Sequence, residues 1–227
     1  MSTTPILALD VPTAEEALEI VDYFGALCRF YKVGNELFTS SGPGIVRALR
    51  SRGCEVFLDL KFHDIPNTVA GGVRNAVAMG ATLVTVHAAG GQAMLEAAVR
   101  AAGGSCGVLA VTVLTSLSAE DLGAVWGRSL DVSTEVLRLA GIAAAAGAHG
   151  VVCSGQEAAR VRDKYGDTLA VLVPGIRATG TATDDQSRVV TPEAVAYAGA
   201  KYAVVGRMVT AAPDRRKAME AVRAALQ

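Results

Sequence analysis

The chain has 227 residues, 51% of them hydrophobic and 19% charged, with a net charge of −1. This is the composition of a well-cored globule; it excludes a basic nucleic-acid stripe and implies no polyanion partner. Four cysteines without CxxC spacing (Cys28, Cys54, Cys106, Cys153), a start (MSTTPILALD) unlike a signal peptide, and a longest Ala-rich stretch (Leu139 to Ala148) too short and Gly-broken to span a bilayer predict a reduced, cytoplasmic protein with no membrane partner.

Short apolar runs alternate with helical patterns from end to end. Ile6 to Asp10 reads as the first strand, and Thr13 with Glu16 as a capping box for a helix whose inner face carries Ala14, Ala17, Leu18 and Val21. Phe30 to Gly34 is the second strand, with a helix around Ile45 to Arg50; Glu55 to Lys61 is the third, with a helix from Pro66 to Met79. Thr82 to Ala88 and Gln92 to Ala102 form the fourth unit. Gly107 to Leu114 is the fifth strand, followed by a longer connection and a helix from Thr134 to Ala146. Gly150 to Ser154 with Gln156 to Tyr165, and Leu169 to Pro174 with Pro192 to Ala198, are the next two units. Tyr202 to Gly206 is the eighth strand, and Pro213 opens the last helix. Eight strand–helix units of about 28 residues predict one domain, 1–227, folded as a (β/α)8 TIM barrel. A doubly wound open sheet is the rival, but the first turn, LDVPT, has no GxGxxG. The scarcity of aromatics also suits a parallel sheet under helices better than an antiparallel sandwich.

The third strand, within EVFLDLKFHDIPNTV, is the unusual one. It carries Asp59 and Lys61 two apart, hence side by side on one face, with Leu58 and Leu60 on the other. Ionised groups at successive same-face positions suit a strand end that opens into a site; the plainer alternative is an internal ion pair, which is weak support for stability because of its desolvation cost. Pro66 ends the run and suits a first helical turn.

In a barrel the reactive residues sit at the C-terminal ends of the strands. The polar residues fall there: Asp10, Lys32, Asp59 with Lys61, His87, Thr115 with Ser116, Arg177 and Arg207. Any one of them could be a solvated strand end; the set points to a site. The loops after strands seven and eight, PGIRATGTATDDQSR and VVGRM, are a candidate phosphate grip. Gly206 lets a backbone N–H approach an anion, Arg177 and Arg207 offer forked donors, and Gln186 offers an amide. Arg215, Arg216 and Lys217 read as the solvated face of the last helix, over a core face of Ala218, Met219, Val222 and Leu226; Trp126 and His149 read as structural. Asp59, His63, Asp64 and His87 have the chemistry of a Zn or Fe site, but Lys61 would sit among them as a competing cation, so no metal is expected.

With these residues assembled, LALDVP, YKVG, DLKFHDIPNTV, VTVLTS, PGIR…DDQSRVVTP and VVGR together resemble the orotidine 5′-phosphate decarboxylase family of the bacterial type, over essentially the whole chain. The resemblance implies a homodimeric barrel that converts orotidine 5′-phosphate to UMP and CO2, the last step of UMP biosynthesis, with no metal or organic cofactor. It implies Lys61 as the proton donor, Asp59 against the departing carboxylate, and Lys32 and Asp64 completing an alternating charge row. Asp64 and Thr68 would come from the partner subunit, making a shared site. The run Asp59, Leu60, Lys61, Phe62, His63, Asp64, Ile65, Pro66, Asn67 and Thr68 would bind substrate. So would Asp10 and Lys32 at the ribose, Thr115 at the pyrimidine edge, and Arg177, Gln186, Gly206 and Arg207 at the phosphate. Ala178 and Asp185 stand where many members have Pro and Gly. Competing readings are a Mg-dependent keto-sugar-phosphate decarboxylase, a metal-dependent pentose-phosphate epimerase, and a non-catalytic phosphate-ligand barrel. HDIPNT and the long seventh loop argue against the first two, and the costly Asp59–Lys61–Asp64 row against the third.

Overall fold

The structure is a computed structural model that describes residues 2–166, 168–177 and 190–227. Its strands are β1 (Thr4–Ala8), β2 (Phe30–Gly34), β3 (Glu55–Phe62), β4 (Leu83–His87), β5 (Gly107–Val111), β6 (Gly150–Val152), β7 (Ala170–Val173) and β8 (Tyr202–Val205). They lie parallel and in chain order, and β1 closes the ring by pairing Thr4 through Leu7 with Tyr202 through Val205. Around them run α1 (Ala14–Phe24), α2 (Asn35–Ser41), α3 (Pro43–Ser51), α4 (Pro66–Met79), α5 (Gln92–Ala102), α6 (Ala119–Trp126), α7 (Val132–Ala145), α8 (Gly155–Tyr165), α9 (Pro192–Tyr197), α10 (Arg207–Thr210) and α11 (Arg215–Ala225). The expected (β/α)8 barrel is the observed fold. No helix among the described residues is long and apolar enough to cross a membrane.

Strand alternation sorts the core into two layers. Ile6, Ala8, Phe30, Phe57, Leu83, Leu109, Val111, Val152, Leu172 and Val204 point into the barrel. Their neighbours Leu7, Leu9, Tyr31, Val33, Val56, Leu58 and Val84 point out, under the helices. The interior is widest in side chain at its lower end, where Phe30 meets Tyr202 edge to face at 6.2 Å. Towards the strands' C-terminal ends it narrows to Ala8, Val111, Val152 and Val204, and that loss of bulk leaves room for a cavity. At the bottom rim His149 Nε2 and the Tyr202 hydroxyl share a hydrogen bond at 3.1 Å. All four cysteines are buried thiols outside any disulfide; Cys28, Cys54 and Cys106 sit just before β2, β3 and β5.

Several boundaries differ from the sequence expectation. Six strands, β1 and β4 to β8, end earlier, and upper ends continue as single bonds such as Leu9 N–H to Lys32 O at 3.0 Å and Cys153 N–H to Leu172 O at 3.2 Å. The second unit carries two helices, α2 and α3, jointed at Gly42, whose φ of 60° favours glycine. The fifth connection contains α6, opened by a capping box in which Asp121 N–H donates to Ser118 Oγ at 3.1 Å and Ser118 N–H to Asp121 Oδ2 at 3.0 Å. Of the box expected at α1, the Thr13 half is present, accepting the Glu16 N–H at 3.2 Å. The last helix is started by Asp214, which accepts the Lys217 N–H at 3.0 Å, not by Pro213. Its Met219, Val222 and Leu226 are buried as expected.

Candidate active site

A cavity of about 550 Å³ opens at the C-terminal mouth of the barrel. Its floor is the top of the inner core: Ala8, Phe57, Val111, Val152, Leu172 and Val204. The polar wall on one side comes from β1, β2 and β3 as Asp10, Lys32, Asp59 and Lys61. Thr115 and Ser116 enter after β5; Arg177, Gly206 and Arg207 enter after β7 and β8. These residues, distant in sequence, share the cavity because parallel closure puts every strand's C-terminal end on one rim.

Lys61 and Asp59 reach the cavity by a break in strand geometry, not by plain alternation. Leu58 pairs with Val84 and Phe62 with Val86, so three residues of β3 stand opposite the single Thr85 of β4. Lys61 sits at this bulge with φ 51°, in the left-handed region where a non-glycine residue is uncommon. Its Nζ donates to both Asp59 oxygens, at 3.0 and 2.9 Å. Thr85 bridges the same two residues: its Oγ1 accepts the Lys61 N–H at 2.9 Å and donates to Asp59 Oδ1 at 2.9 Å. Across the wall, Lys32 Nζ meets Asp10 Oδ1 at 2.7 Å, with the lysine largely enclosed and the aspartate open to solvent. Two lysine–carboxylate pairs therefore face the same cavity.

The rest of the 59–68 run behaves differently. Leu60 faces away from the cavity, as its alternation with Asp59 and Lys61 predicts, and Phe62 does the same; both pack on the outer layer near Phe38 and Met79. His63, Asp64, Ile65, Pro66, Asn67 and Thr68 also lie outside the cavity of their own chain. Asp64 is exposed, its Oδ1 accepting the Ile65 N–H at 2.6 Å, and so the expected row of Lys32, Asp59, Lys61 and Asp64 is not completed within one chain. His63 and His87 face each other with ring centroids 5.2 Å apart. Burial, then the electrostatic effect of the neighbouring His63 and Lys61, holds His87 below the ordinary imidazole range, against an opposing pull from Asp59.

On the far side, Arg177 N–H bonds Val190 O at 3.0 Å next to an Ile176–Val190 bridge, which ties together the two described stems of the seventh loop. Gln186, with Ala178 and Asp185, lies outside the described residues. Among the described residues no three His, Cys, Asp or Glu side chains gather as a metal ion would need. Sequence reasoning missed Thr85 and Gly34. Both had a faint signal: a polar residue at an inward position of an apolar strand, and a glycine closing the YKVG strand beside Lys32.

Comparison with known proteins gives a consistent result. The family model described as "Orotidine 5'-phosphate decarboxylase / HUMPS family" matches residues 3–222. The orotidine 5′-phosphate decarboxylase of Anaeromyxobacter sp. (strain K) is 50% identical over 219 residues, 96% of this chain and 96% of the relative. That of Halorhodospira halophila is 49% identical over 223 residues, 96% of this chain and 94% of the relative. The crystal structure of the orotidine 5′-phosphate decarboxylase from Lactobacillus acidophilus superposes with a TM-score of 0.88 at 35% identity, covering 100% of both chains. On a match that runs nearly end to end, the chain belongs to the orotidine 5′-phosphate decarboxylase / HUMPS family.

Proposed function

We propose that this chain is an orotidine 5′-phosphate decarboxylase, releasing CO2 to form UMP, and that it works as a cytoplasmic homodimer without metal or organic cofactor. The observation that carries the reading is the Asp59–Lys61 pair, chelated at 2.9 and 3.0 Å, in a cavity whose opposite wall holds Arg177, Gly206 and Arg207.

The chemistry needs such a pair. When the bond between pyrimidine C6 and the carboxylate breaks, the electron pair stays on C6 and CO2 departs. No cofactor delocalises that pair, so a fixed ammonium beside C6 stabilises it and then transfers a proton to it. Lys61 is that ammonium; it becomes the neutral amine and regains its proton from solvent. Asp59 sets the ammonium's position and crowds the substrate carboxylate. Asp10 and Lys32 hold the ribose, Thr115 reads the pyrimidine edge, and Arg177, Gln186, Gly206 and Arg207 hold the phosphate. Binding energy gathered at the phosphate is then used at the reacting carbon. Asp64 and Thr68 serve the partner's site, a reading supported by their exposure on their own chain and by their position beside Ile65, which is 67% exposed.

The test is turnover of orotidine 5′-phosphate followed by ultraviolet absorbance in buffer containing EDTA. Wild-type protein is expected to turn over and Lys61→Ala to show none, with unchanged melting. Silence from folded wild-type protein would overturn the reading, and wild-type-like turnover by Lys61→Ala would overturn the proton-donor assignment.

A further inference from the structure

The Thr85 side chain is fully buried and stands opposite the three-residue bulge that carries Asp59 and Lys61. Two facts about this hydroxyl are independent of any ligand. First, a residue with φ 51° that is not glycine is held against its own backbone preference, so something must hold it. The bulge has displaced Lys61 from the regular ladder, and its N–H is received by Thr85 Oγ1 at 2.9 Å. Second, a hydroxyl has one proton to give, and this one is given to Asp59 Oδ1 at 2.9 Å. That oxygen also accepts from Lys61 Nζ at 3.0 Å. One side chain therefore fixes the Lys61 backbone from one side and the Asp59 carboxylate from the other. The stiff χ1 of a β-branched residue leaves the hydroxyl little freedom to turn away.

We propose that Thr85 is a positioning residue for the decarboxylation: its hydroxyl clamps the strained Lys61 backbone and the Asp59 carboxylate together, so that the ammonium is presented at one place. The kinetic part of this proposal rests on the decarboxylase reading; the clamp itself does not.

The variants are Thr85→Val, which keeps the shape and removes the hydroxyl, and Thr85→Ser, which keeps the hydroxyl and removes the methyl; Thr85→Ala stands in if the valine protein does not fold. Two quantities are measured on each folded protein. One is kcat and KM for orotidine 5′-phosphate. The other is exchange of the Lys61 amide proton in lysine-15N-labelled protein, the resonance being assigned by its absence from Lys61→Ala. Removing a hydrogen bond to a charged group is worth about tenfold to a hundredfold. Thr85→Val is therefore expected to lose that factor in kcat with KM changed less than about threefold, because the phosphate wall is untouched. Its Lys61 amide is expected to exchange about tenfold faster. Thr85→Ser is expected to stay within about threefold of wild type in both. Wild-type kcat and exchange in Thr85→Val would overturn the proposal; so would a serine variant as impaired as the valine one, since packing of the methyl would then be the cause. If wild-type protein failed to decarboxylate the substrate, the function reading would fall, while the exchange measurement would still decide the clamp.

Discussion

A methyl group built at Gly34 would lie 3.0 Å from Lys32 Nζ and 3.5 Å from Asp10 Oδ1. The backbone there is extended, with φ −94°, so alanine is permitted by conformation and excluded only by the ion pair beside it. Gly34→Ala is expected to push the Lys32 ammonium aside by a few tenths of an ångström. Placement errors of about 1 Å cost some hundredfold, so a loss of about tenfold in kcat/KM is predicted, with little change in Tm. A variant with wild-type kcat/KM would show that this gap does not set the ammonium's position. At this scale the sequence was partly legible. Asp59 and Lys61 announced themselves because ionised groups inside an apolar strand carry a desolvation cost that needs a reason. Thr85 did not, because threonine is an ordinary strand residue, and what it does depends on a bulge in the neighbouring strand that no local pattern reveals.

Elements were legible where glycine and proline punctuate them. The expected bounds of α4 and α5 match the observed ones, since Pro66 opens α4, and Gly80 and Gly103, at φ 88° and 56°, close the two helices. The upper strand ends were not legible, because a strand stops where its neighbours' ladder stops, and that is a property of pairs. The end of β4 has a consequence for pH. The folded chain holds His87 below its ordinary range of about 6.5, while the unfolded chain does not. Between those two values the unfolded state binds more protons, so this contribution to stability is fully present above about 6.5 and is lost as pH falls from there towards the folded value. Thermal melts from pH 7 down to pH 5 are expected to show a falling Tm, with a shallower fall in His87→Gln. Parallel curves for the two proteins would assign the acid sensitivity to other groups.

For the whole molecule, eightfold alternation of apolar runs and helical patterns was enough to foresee the closed ring, because each β/α unit is a local pattern repeated. The assembly is less local. If Asp64 serves the partner's cavity, neither Lys61→Ala nor Asp64→Ala alone should be active, yet mixing them should be productive. Random exchange makes half the dimers hybrid, each with one intact site of two, so recovery to about a quarter of wild-type activity is expected. No recovery after demonstrated subunit exchange would place Asp64 outside a shared site.

A ring of parallel strands has no edge from which a strand can peel away, and the four buried thiols turn that into a clock. Burial raises the Cys28 thiol above its ordinary range and Cys106 to about 11, so little thiolate exists in the folded state near neutral pH. An alkylating reagent must wait for the chain to open. Cys28, Cys54 and Cys106 precede three different strands at the lower rim, so their modification rates compare three stations around the ring. A barrel that must break at two seams to free any strand would label all three with one shared time constant, which makes alkylation a count of how many pieces the ring opens into.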